Sequence, residues 1–166
     1  INGLKKAFES FAKRLMPDNA SDLQKVRIGV APYAHTVNLG SYVDNVTSRP
    51  VNSCVTERKQ GTYSDETGEF FQLGNNNCIG NEAELVPLSD DRDSLINTVN
   101  AFQTYKATAG HLGVQWAWNL VSPKWAGTWG GDAAPTAYDE VSSGKVIKAV
   151  VLMTDGEFNT RYHGPS

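Results

Sequence analysis

Val146, Ile147, Ala149, Val150, Val151, Leu152 and Met153 form a nearly unbroken apolar run that stops abruptly at Thr154-Asp155-Gly156. A run of this kind reads as a strand covered by helices on both faces, because a strand with one wet face alternates apolar and polar residues. It therefore demands helices on either side, and it delivers Asp155 to a strand end. In layered α/β sheets, ligands bind beyond the carboxyl ends of the strands.

The helices are legible upstream. Leu4, Ala7, Phe8, Phe11, Ala12, Leu15 and Met16 recur at the spacing of one helix face, with Lys5, Lys6, Glu9 and Lys13 on the other and Pro17 as the stop. Val26, Ile28 and Val30 alternate with Arg27 and Gly29 as in a strand, and residues 36–43 read as its hairpin partner. Residues 89–93 carry the polar and acidic side chains that suit a helix N-terminus, and Leu95, Ile96, Val99 and Phe102 give that helix its buried face. A third helix is expected over 110–121, ending before Pro123, followed by a Gly-rich loop that looks like a surface excursion, although packing of its Trp125 and Trp129 onto the domain is favoured over an exposed stacking surface. Between residues 48 and 84 periodicity fades and turn residues dominate, so this stretch reads as an irregular insertion. Helix, strand, helix, helix, strand implies an α/β fold with a mostly parallel central sheet.

The 166 residues fit one domain. A charged fraction of 20% and a net charge of -3 argue against general disorder, and the scattered Lys and Arg offer no basic stripe, so no nucleic acid is expected as a partner. No apolar run reaches the ~20 residues of a membrane span, so any anchor is expected upstream of residue 1. Cys54 and Cys78 lie in a polar segment with little apolar company, which favours a disulfide and an oxidising compartment; two free thiols in a cytosolic protein are the alternative.

The segment KAVVLMTDGEFNT resembles the fourth strand and metal-site loop of von Willebrand factor A domains. TAGHLGVQWAWNLVSPKWAGTWGG, VRIGVAPYAHTVNLGSY and SCVTERK are similar to the corresponding parts of such domains in Tad-type (tight adherence) pilus assembly proteins. The resemblance implies a Rossmann-like von Willebrand factor A fold with a mostly parallel central sheet flanked by helices and a disulfide-stapled insertion, truncated at both ends. It also implies a magnesium site in the complete domain, with Thr108 and Asp155 as ligands and an Asp-x-Ser-x-Ser loop that has no counterpart here. Two such ligands alone hold magnesium poorly, since the ion demands six oxygens in octahedral array.

The function expected from these features is an extracytoplasmic protein-binding or adhesion module, membrane-anchored in the full-length protein and linked to pilus assembly. Its partner would be a protein or cell-surface ligand presenting a carboxylate, and it would not be an enzyme. The alternatives are a metal-dependent hydrolase using Asp155 and a cytosolic A-like domain that assists an ATPase. His35, His111 and His163 show no ligand spacing and read as surface histidines, and no nucleophile motif or phosphate loop is present.

Overall fold

The computed structural model describes residues 1–19, 25–61, 65–73, 78, 83–104, 107–154 and 156–162. The first helix, α1 (Asn2–Leu15), follows the expected apolar stripe. Phe8 and Ala12 are buried, and Lys13 and Arg14 sit in its last turn, where cations suit the negative end of the helix dipole. Strand β1 (Ile28–Val30) pairs antiparallel with β4 (Val86–Ser89), not with the segment that directly follows it. That segment forms β2 (Val37–Asn38), which pairs antiparallel with β3 (Cys54–Val55) inside the stretch read as an insertion. Helix α2 (Arg92–Ala101) starts where its acidic signal places it, with the Asp91 carboxylate accepting from the Ser94 N–H. Helix α3 (Gly110–Val121) has the expected bounds. Two short helices follow, α4 (Ala126–Trp129) and α5 (Tyr138–Ser142).

The expected parallel central sheet is not formed. The described residues hold two antiparallel two-stranded sheets, and residues 146–153 join neither. The physical reason lies in the backbone. A strand exists only through a neighbour that takes its N–H and C=O groups, and no described backbone group bonds residues 147–153. The run is half exposed, with Ile147 91% and Val151 54% accessible.

Two apolar cores result. One joins α1 to α2 through Phe8, Ala12, Leu95, Ile96 and Val99. The other gathers Val37, Val55, Phe70, Leu112, Trp116, Trp125 and Trp129 around the inner face of α3. The Gly-rich loop packs onto the domain, as favoured for its tryptophans: Trp125 and Trp129 are buried, stacked at 5.9 Å, and both lie edge-on to Trp116. Their indole N–H groups explain why burial is tolerated, since Trp125 donates to the Asp65 carbonyl and Trp129 to the Asn119 carbonyl. Cys54 and Cys78 are joined in a disulfide, which ties β3 to residue 78. No helix among the described residues is long and apolar enough to cross a membrane.

Candidate functional site

Thr108 lies on the short approach to α3, and its place is set by the segment that follows the apolar run. The Thr108 N–H donates to the Asn159 side-chain carbonyl at 2.9 Å, and the Asn159 N–H donates back to the Thr108 carbonyl at 3.1 Å. Next along the chain, the Ala109 N–H donates to the Ala34 carbonyl. A Cβ placed on Gly156 would lie 3.7 Å from the Thr108 hydroxyl, in ordinary contact. The ring of Phe158 covers Gly110 so closely that a Cβ there would fall 2.2 Å from it, so any larger residue would displace that ring. Thr154 closes the turn locally: its hydroxyl accepts from the Gly156 N–H and donates to the Gly156 carbonyl. Asp155, the other expected ligand, lies outside the described residues, as does His163.

One helical turn beyond Thr108, the His111 Nε2 sits 2.9 Å from Oε1 of Glu57, which also accepts from the Tyr162 N–H at 3.0 Å. His111 is half exposed, while the Glu57 side chain is 4% accessible and its second oxygen, Oε2, is buried without a partner. Burial pushes the Glu57 carboxyl up, but the hydrogen bonds from Tyr162 and His111 outweigh it and hold the group below the usual carboxylate range. Three segments distant in sequence thus meet at one rim: residue 57, residues 108–111 and residues 156–162.

Glu57, Asn159 and Tyr162 carry no sequence signal of their own. Glu57 follows a two-residue strand in a stretch without periodicity, and its role appears only when α3 and residue 162 arrive beside it. Conversely, His111, read as a surface histidine, has a fixed carboxylate partner.

The described donors, which leave out Asp155, fall short of the octahedral oxygen set that magnesium demands. Among the described residues no group of three or more His, Cys, Asp and Glu is placed to hold a metal ion. The side-chain oxygens of Thr154 and Asn159 are engaged by neighbouring groups, and Oε1 of Glu57 is held by His111 and the Tyr162 N–H. A hard dication takes charged, convergent oxygens. What the rim offers is a hydroxyl, an imidazole and a backbone held in place by reciprocal bonds.

No protein-family model matches the chain, and no curated protein and no solved structure matches it.

Proposed function

We propose that this chain is an extracytoplasmic protein-binding module, of the kind implied by its resemblance to Tad-type pilus assembly proteins, and that it binds without turning over a substrate. Its binding rim is formed by Thr108, His111, Thr154 and residues 156–159, and its partner is a protein or cell-surface ligand presenting a carboxylate. The observation that carries this reading is the reciprocal bonding of Thr108 and Asn159, which brings two loops 51 residues apart to one edge. Loops held by a rigid scaffold are where recognition residues concentrate. The Cys54–Cys78 disulfide supports the oxidising compartment, since such bonds persist there and are rare in the reducing cytosol.

The test is calorimetric binding of short Asp-containing peptides and their side-chain amide twins, with magnesium and with a chelator. The acidic peptides are expected to bind about tenfold more tightly than the amides, and Thr108→Ala to abolish that preference. Asp155→Ala in the magnesium arm decides whether that residue takes part. Equal binding of acid and amide by the unsubstituted protein rejects the reading. Mass shifts on alkylation without reductant would show free thiols and reject the compartment.

A further inference from the structure

The His111 imidazole stands between a buried carboxylate and the open rim. Its Nε2 lies 2.9 Å from Oε1 of Glu57, while 43% of its side chain stays accessible. Oε1 of Glu57 also takes the Tyr162 N–H, and Oε2 is buried without a partner. Against the cost of burial, these hydrogen bonds hold Glu57 below the usual carboxylate range, so it is ionised at neutral pH.

An ionised carboxylate accepts hydrogen bonds and donates none. The hydrogen in the 2.9 Å contact therefore sits on Nε2, and a neutral His111 carries its lone pair on Nδ1. In that state the ring meets the rim as an acceptor, with a fixed negative charge behind it. An incoming carboxylate is repelled by both. One proton, taken from solvent onto Nδ1, reverses the arrangement: Nδ1 becomes a donor, and an imidazolium then separates the ligand carboxylate from that of Glu57.

The neighbouring elements bring few other charges. Helix α3 has no acidic or basic residue besides His111. Arg58, next in sequence to Glu57, turns its guanidinium to the carbonyls of Gln60, Glu66 and Thr67, and the charges acting on it are those of Glu66 and Asp65. Residues 156–162 carry Glu157 and Arg161, and the stretch whose Ala34 carbonyl receives the Ala109 N–H carries His35. Among the described residues, the ion-pairing partner of Glu57 is His111.

We infer that carboxylate binding at this rim is coupled to uptake of one proton by His111, with Glu57 as the positioning residue that fixes the ring and its tautomer. The inference rests on the carboxylate-binding reading of the rim and adds its regulation. The ligand is held where histidine is charged, below about pH 6, and is released as pH rises towards about 8.

The experiment is calorimetric titration of the full chain with acetyl-Gly-Asp-Gly-amide and its Asn twin, with magnesium and with a chelator. It runs from about pH 5.5 to about pH 8.5, where the peptide's own carboxylate stays ionised, in buffers of low and of high ionisation enthalpy. With the unsubstituted protein, the heat of binding the Asp peptide should depend on the buffer, reporting uptake of up to one proton. Its affinity should fall by up to about tenfold per pH unit above about pH 7, and the Asn twin should show neither effect. His111→Gln should remove the buffer dependence and flatten the profile, and His35→Gln should leave both unchanged. Glu57→Gln separates positioning from mere support of the fold. The amide also donates, so a neutral ring can turn its Nδ1–H to the ligand, and binding at about pH 8 should become up to about tenfold tighter than in the unsubstituted protein. A purely structural role would weaken it at every pH. If Glu57→Gln misfolds, the buffer dependence of the unsubstituted protein decides. Equal binding of the Asp peptide and its Asn twin at every pH removes the rim reading and the inference with it. An Asp preference that is constant with pH and gives the same heat in every buffer leaves that reading standing and overturns the proton coupling alone. Coupling that survives His111→Gln, or is lost in His35→Gln, overturns it too.

Discussion

The tryptophan-lined half of this molecule and the half around the cleft between α1, α3 and residues 144–153 both draw on apolar side chains, yet only the first is closed. Around Trp116 the aromatic rings meet at 4.7–6.4 Å, and the polar atoms they carry into the interior are largely bonded to nearby carbonyls. Across the cleft, Val150, Val151 and Leu152 are exposed beside backbone that no described residue pairs. The difference teaches that apolar residues close a core only when the backbone carrying them is also satisfied. Side chains on α3 reach the first core because the helix bonds its own backbone. Residues 147–153 have the side chains for burial and lack a backbone partner among the described residues.

The strongest way to break this contrast is to truncate a ring on the closed side. Trp116→Ala is expected to cost about 3–5 kcal/mol in denaturant unfolding, or to prevent folding, because the surrounding rings cannot collapse into the space. A cost below about 1 kcal/mol would mean that the aromatic cluster is not the stabilising core. Next in size is the disulfide. Reduction, or joint Cys54→Ser and Cys78→Ser replacement, opens a loop with a sequence separation of 24 and should cost about 3 kcal/mol in the same assay.

A pH series sharpens the contrast at the rim. Glu57 is held below its ordinary value near 4.5, so its ionised form stabilises the fold. That contribution is complete above the ordinary value and is lost as pH falls through the lower folded one. Glu57→Gln should therefore destabilise by about 1–2 kcal/mol at neutral pH, with the gap to the unsubstituted protein steady down to about pH 5 and closing below about pH 4. A gap that persists or widens in acid contradicts the assignment. The smallest expected effect belongs to the open half: Val151→Ala should change stability by no more than about 0.5 kcal/mol, a null result that the same truncation at a buried valine such as Val55 would not give.

How much of this was legible in sequence follows from what each pattern encodes. The 3.6-residue spacing of Leu4 to Met16 and the capping position of Asp91 specify local backbone, and α1, α2 and α3 stand where those signals place them. The apolar run at 146–153 specifies an extended, burial-seeking segment but carries no information about which strand lies beside it, so the parallel sheet inferred from it fails. Nor does β2 announce that its partner is Cys54–Val55 and not β1, because turn residues between them do not encode register. Trp125 and Trp129 looked like loop residues since glycines surround them, and their burial depends on the carbonyls of Asp65 and Asn119 arriving from elsewhere. At the rim, Thr108 was marked by its motif, while Asn159 and Glu57 were silent because their roles exist only across distant segments.

The placement of the four indoles has an optical consequence. Trp116, Trp125 and Trp129 are shielded and mutually close, whereas Trp118 faces outward on the same helix at 47% accessibility. A collisional quencher should extinguish one emitter and spare three, and the shielded trio should give a strong near-ultraviolet dichroism that vanishes when their packing loosens while helical dichroism persists. The closed half of the molecule thus carries its own dye, readable without any label.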